Sequence, residues 1–134
     1  MIVFLSCVKL KQNKRCRAEE LYTSDLFVKS LTYAKSLKPN KIFILSAKYG
    51  VLELYDVIEP YEKTLNNASE KERKLWAIKC YKQLQEKGVN FNEQAVFLCG
   101  QNYRKYLMTK FPNATAPLSN LGIGKQLAFY KSKI

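Results

Sequence analysis

Residues 41–53 read KIFILSAKYGVLE, and the reading of this stretch decides the fold. Five residues from Ile42 to Ser46 form a nearly continuous apolar run that stops at a small polar residue. A strand buried on one face alternates apolar and polar side chains, whereas one covered on both faces reads as an unbroken apolar run. Two other segments share the pattern, IVFLSC at 2–7 and QAVFLCG at 94–100, and each also ends in small residues. Three such strands suit a parallel sheet with helices on both faces.

The intervening segments carry helical signals. Residues 25–37, DLFVKSLTYAKSL, place apolar side chains at 26, 27, 31, 34 and 37 behind Ser24 as N-cap. In SEKERKLWAIKCYKQLQEKG, Ser69 and Glu72 make a capping box, Trp76, Cys80, Tyr81 and Leu84 form the buried face, and Gly88 ends the helix. A third helix is predicted from Gln101 to Lys110, stopped by Pro112, and a fourth over Lys125 to Ser132 after a Gly122/Gly124 turn. Residues 53–67, ELYDVIEPYEKTLNN, fit neither period and read as a long loop, a feature often tied to function. The expected architecture is α/β: a single three-layer domain over 1–134 with a mostly parallel central sheet, Rossmann-like, of about four strands and four helices.

With 134 residues the chain is long enough to bury a core without staples. No apolar run approaches the length of a bilayer span, and the opening MIVFLSC lacks the basic lead of a signal peptide, so a cytoplasmic protein is expected. There is no histidine, which excludes His-based nucleophile pairs and mixed Cys/His zinc sites. The four cysteines form no CxxC pair, and no metal site is expected. The only aspartates are Asp25 and Asp56, too few for an all-protein magnesium cage, so Mg²⁺ would enter only with a phosphate. Net charge is +12, which favours anionic partners and also fits a merely Lys-rich composition.

In open parallel sheets ligands bind beyond the carboxyl ends of the strands. Those ends are Ser6-Cys7, Ser46-Ala47 and Cys99-Gly100, small enough for backbone to approach a ligand closely. After Ser46, Gly50 permits a tight turn flanked by Lys48 and Tyr49. The loop KLKQNKRCR at 9–17 concentrates Lys9, Lys11, Lys14, Arg15 and Arg17 where nucleotide-binding folds often carry a glycine-rich phosphate loop. Side-chain cations would supply the phosphate contacts here. Gly100 precedes a helix start, with Tyr103 and Arg104 one turn in, and PLSNLGIGKQ (117–126) adds Gly122, Gly124 and Gln126 as a hydrogen-bonding loop suited to a base or sugar edge.

Taken together, SC…K at 6–9, LYTSDLF at 21–27, LSAKYGVL at 45–52, DVIEPYEKTL at 56–65, GQNYRKYL at 100–107 and PLSNLGIGKQL at 117–127 resemble a family of small bacterial and phage proteins of unknown function. More distantly, LSAKYGVLELYDVIEPYE is similar to a segment of the YaaA peroxide-stress family, with Leu45, Ser46, Tyr49, Gly50, Leu52, Asp56, Ile58, Pro60 and Tyr61 at matching positions. The second resemblance implies that Ser46 to Tyr61 is a signature site, and YaaA-type proteins are longer and associated with DNA binding.

Three functions fit these residues. The first is an enzyme acting on a nucleotide, nucleoside or nucleic-acid base through glycosyl-type chemistry. Asp56 or Glu59 would be the base or stabilise an oxocarbenium-like centre, and Cys7 is a further candidate nucleophile. Lys9, Lys11 and Arg104 would hold phosphate, Tyr49 or Tyr61 would stack on the base, and Ser6 would line the crevice as a further ligand-binding residue. Asp56 reads equally as a turn-former and Glu59, before Pro60, as an extended exposed residue. The second is a non-catalytic DNA- or RNA-binding protein of YaaA-like type, and the third a module that senses or sequesters a nucleotide without turnover. No cofactor can be named from the residues.

Overall fold

The computed structural model describes residues 1–6 and 11–134. Cys7 and Lys9 therefore lie outside the described residues. In chain order the elements are β1 (Ile2–Ser6), β2 (Cys16–Arg17), α1 (Ala18–Leu21), α2 (Asp25–Ser36), β3 (Lys41–Ser46), β4 (Gly50–Glu53), β5 (Val57–Ile58), α3 (Glu70–Glu86), β6 (Ala95–Leu98), α4 (Gln101–Arg104), β7 (Ala114–Thr115) and α5 (Ile123–Lys133), with 3₁₀ turns at Leu65–Asn67 and Met108–Lys110. The main sheet has five strands in the order β4-β3-β1-β6-β7. β1 pairs in parallel with both neighbours, Phe4 standing opposite Phe43 on β3 and Phe97 on β6. The three apolar runs are thus the centre of an α/β, mostly parallel sheet.

Register places the three phenylalanines on one face. The Phe4 ring lies 5.7 Å from Phe43 and 4.5 Å from Phe97. The chain of rings continues through Phe111 and Phe91 to Tyr81 of α3. Such pairs add about 0.5 to 1.5 kcal/mol each beyond their area. The crossover from β1 to β3 runs toward one edge, and that from β4 to β6 returns past β1. The helix of the parallel β1-to-β3 crossover, α2, packs with α5 and on β1, whereas α3 packs with α4 and on the β4 edge.

Helix caps follow the sequence. Ser24 Oγ accepts from the Phe27 N–H at 3.1 Å, and Ser69 Oγ from the Glu72 N–H at 3.2 Å. Trp76, Cys80 and Leu84 are buried as the α3 stripe requires, with Tyr81 half-buried against the core. Burial pushes the Cys80 thiol up to about 12, as for an inert core cysteine.

Four expectations change. The helix over 101–110 is broken: α4 ends at Arg104, and Lys110 and Phe111 donate to Leu107 and Met108 in the tighter 3₁₀ pattern. Tyr103, Leu107 and Phe111 are buried at helical spacing, so the face was legible. Pro112 disfavours α geometry at Phe111, which explains the tightened final turn. α5 begins at Ile123 with Gly122 as N-cap, so Gly124 lies inside the first turn. Two short edge strands, β4 and β7, extend the sheet beyond the three apolar runs. The 53–67 excursion is pinned by a separate two-stranded ribbon in which Cys16 faces Ile58 and Arg17 faces Val57.

β4 is antiparallel to β3 and forms one edge. Its outer backbone groups are satisfied by α3: Gln83 Oε1 accepts from the Val51 N–H at 2.8 Å, and Gln83 Nε2 donates to the Tyr49 carbonyl at 3.1 Å. The side-chain amide substitutes for a neighbouring strand, which blunts an edge that would otherwise invite pairing. Among the described residues, no helix is long and apolar enough to cross a membrane.

Candidate functional site

β1 and β6 are neighbours whose onward connections run in opposite directions, so the switch point of the sheet lies between Ser6 and Gly100. Gly100 is exposed, and a Cβ there would meet open space. Ser46 ends the next strand and is fully buried, so its hydroxyl does not face the crevice and is not a ligand contact as the strand-end position suggested. Ser46 Oγ instead accepts from the Tyr49 N–H at 3.1 Å and donates to the Tyr61 hydroxyl at 2.8 Å, while its carbonyl accepts from Trp76 Nε1 at 2.9 Å. A strand hands over to Ser-Ala-Lys-Tyr-Gly because Ser46 closes the turn on itself. Its role is positioning.

The turn collects tyrosines. The Tyr61 and Tyr22 hydroxyls are 2.6 Å apart, and the Tyr49 ring packs edge-on against Tyr61 at 5.6 Å. Lys11, from the basic loop, sits 4.8 Å above the Tyr61 ring. A cation over a tyrosine face is worth about 0.5 to 2 kcal/mol, so it ties the first loop to this edge. Tyr61 is buried in the core beneath this turn, so it is not an open stacking platform. The half-buried Tyr49 exchanges hydrogen bonds with the Glu59 backbone at 3.2 and 3.3 Å. Lys48 is exposed, its ammonium 5.1 Å from the Tyr49 ring. Gly50 has φ of +79° and permits the turn as expected.

Beside this turn a hollow of about 520 Å³ opens next to Ala47. Trp76, Leu65 and Leu75 supply apolar walls, and Lys63, Lys79 and Thr64 supply polar ones. Lys79 also donates to the Lys48 carbonyl at 3.1 Å. Tyr103, buried at the start of α4, brings its hydroxyl to the Leu65 N–H at 3.3 Å and stacks edge-on against Trp76 at 5.6 Å. The α4 start therefore braces the 62–68 wall. The carboxylates lining the hollow are Glu62 and Glu72.

Other candidates fall elsewhere. Asp56 Oδ2 accepts from the Glu53 N–H at 2.8 Å, and its carbonyl accepts from Ala18 at 2.7 Å, so Asp56 forms the turn between β4 and β5. Glu59 is exposed and reaches Arg15 at 3.9 Å. Arg104 Nη1 donates to the Cys99 carbonyl at 2.8 Å, bracing the strand end. Gln126 Nε2 donates to the Leu121 carbonyl at 2.8 Å, which closes the Gly122 turn locally, and Gly124 is exposed on α5. Ser6 is half-buried at the end of β1. Sequence reasoning missed Lys63, Lys79, Thr64 and Leu75 as walls. They lie on α3 and the loop before it, and only the fold brings that face to the end of β3. Among the described residues, no three Cys, Asp or Glu side chains gather as metal ligands.

An open α/β sheet with a braced small-residue carboxyl edge and an adjoining amphipathic hollow defines the class of this protein. Residues 2–132 match DUF6884, a family of unknown function, and the chain belongs to that family. No curated protein matches it.

Proposed function

We propose that the chain binds a nucleotide, nucleoside or nucleobase at the carboxyl edge of its sheet. The observation that carries this reading is the hollow of about 520 Å³ beside Ala47, with Trp76 in its wall and Lys63 and Lys79 at hand. Its volume lies in the range of about 300 to 1,000 Å³ that suits small-molecule ligands. The apolar wall favours a base or sugar face, and the two ammonium groups favour phosphate. The YaaA-like resemblance supports the same edge, because its shared Ser46, Tyr49, Gly50 and Tyr61 are the residues that build the turn.

Glycosyl-type catalysis is the extended form of this proposal. The carboxylate at the ligand would then be Glu62 or Glu72, since the Asp56 carboxylate is held by the backbone. A sensing or sequestering module would use the same hollow without turnover.

The test is a thermal-shift panel of nucleotides, nucleosides and bases, because a ligand of the folded state raises apparent stability by mass action. Leu75→Trp fills the hollow from an exposed position, and Lys63→Ala removes a rim cation. A ligand-dependent shift in the wild type that both variants diminish supports the reading. No shift with any member of the panel, or equal shifts in all three proteins, refutes it. Product analysis by mass spectrometry then separates turnover from binding.

A further inference from the structure

At the opposite end of the sheet, a groove of about 320 Å³ runs between the end of α2 and the β3/β4 edge. Lys35, Lys38 and Lys41 line it, Pro39 and Leu54 are part of its apolar lining, and Tyr55 stands at its side. We infer that this groove is a docking site for single-stranded nucleic acid, with a base on the Tyr55 ring and backbone phosphates on Lys38 and Lys35. The inference does not rest on the nucleotide reading above, which concerns the other end of the strands.

Three observations converge. Tyr55 is 58% exposed and, among the described residues, no second ring and no cation is seated on its ring, so its exposed surface is open for stacking, with the Lys41 ammonium near enough to feel its phenol. Elsewhere the tyrosines that carry a lysine over the ring are buried, as Tyr22 and Tyr61 are, or half-buried with that lysine already on them, as Tyr49, Tyr81 and Tyr106 are. Next, Lys38 has φ of +51°, the only positive φ at a non-glycine among the described residues. Glycine is the usual residue there after a helix, and a side chain costs about 1 to 2 kcal/mol. Lys38 makes no ion pair among the described residues, so the strained position holds an unspent cation at the groove, and Pro39 stiffens it.

Charge supplies the third observation. Lys35 reaches Glu19 only at 4.0 Å, whereas Lys41 and Lys87 are both on Glu53, at 2.9 and 3.0 Å. The groove lining thus holds three lysines, Lys35, Lys38 and Lys41, against one carboxylate, Glu53, which Lys87 also neutralises, and this leaves the groove positive even with Asp56 near Lys41. Stacking on an exposed aromatic flanked by cations binds single strands with little dependence on base identity. A small anion would use the lysines and have no need of Tyr55.

The experiment is fluorescence anisotropy with a labelled single-stranded oligonucleotide of about ten nucleotides, a length within known site sizes. Tyr55→Ala is expected to weaken binding about tenfold. Lys38→Gly is expected to weaken it severalfold and to lower the slope of log affinity against log salt by about 0.7. The same Lys38→Gly change should raise the urea midpoint by relieving the backbone, so lost binding with gained stability separates contact from folding. Ile123→Ala, exposed on α5 and part of neither hollow, should leave oligonucleotide affinity unchanged. Absence of wild-type binding at low salt, or unaltered affinity in the Tyr55→Ala/Lys38→Gly double variant, overturns the inference. So does inorganic pyrophosphate that competes at the concentrations at which the oligonucleotide binds.

Discussion

Gly50→Ala probes the joint between the edge strand and the site most sharply. Gly50 has φ of +79°, and a Cβ built there would lie 2.2 Å from Gln83 Oε1. The left-handed backbone alone costs about 1 to 2 kcal/mol for a side chain. The Gln83 amide must also move, and it makes two hydrogen bonds to the Val51 N–H and the Tyr49 carbonyl. At about 1 kcal/mol each these add roughly 2 kcal/mol, for a total of about 3 to 4 kcal/mol. Gln83→Ala removes the same two bonds and should cost about 2 kcal/mol. In the double variant the clash is gone and those bonds are lost only once, so the costs should fall short of additive by about 2 kcal/mol. Urea unfolding of the four proteins of this cycle measures the coupling. Additivity within about 0.5 kcal/mol would refute the claim that Gly50 is required by the close approach of Gln83.

Other consequences are measurable. Tyr61→Phe deprives Ser46 and Tyr22 of a buried hydroxyl partner, so stability should fall by about 1 to 3 kcal/mol and nucleotide-dependent thermal shifts should shrink. Chemical denaturation, read beside the shift panel, checks both. Burial pushes the Glu53 carboxyl up, but hydrogen bonds from Lys41 and Lys87 more than reverse this, and it sits below its ordinary value. Lys41 is raised, chiefly by its hydrogen bond to Glu53. A lowered carboxyl stabilises above the unfolded value of about 4.5 and loses that contribution as pH falls through the folded value. A raised lysine stabilises below about 10.5 and loses it as pH rises through the folded value. Glu53→Gln should therefore flatten the stability profile at both ends, as urea midpoints from pH 3 to 11 will report. Equal acid and alkaline losses in wild type and variant would show that the Lys41–Glu53–Lys87 cluster contributes nothing.

The central strands, both long helices and their caps were legible because apolar run length and helical spacing are local signals. Ser46 at the end of β3, Trp76 on the buried face and the turn at Gly50 were legible for the same reason. The edge strands were not. β4 is four residues long, and its open edge is satisfied by Gln83, thirty-two positions from its partner Val51. Asp56 shows why catalytic readings of isolated carboxylates fail: its role as a turn acceptor is set by the backbone three residues before it. The hollow was hidden because its walls come from the 62–68 loop and α3, far in sequence from the strand end they cover.

Trp76 is the only tryptophan in the chain, and it lines the hollow. Its indole N–H, donated to the Ser46 carbonyl at the end of β3, therefore gives one unambiguous signal in a ¹H–¹⁵N spectrum beside that hollow. Titration with adenosine, guanosine, cytidine and uridine monophosphates should move this signal for at least one of the four, and Leu75→Trp, whose new indole is assigned separately, should abolish the movement. A nucleotide that binds while the Trp76 signal stays fixed, or no binding by any of the four or their nucleosides and bases, contradicts the account.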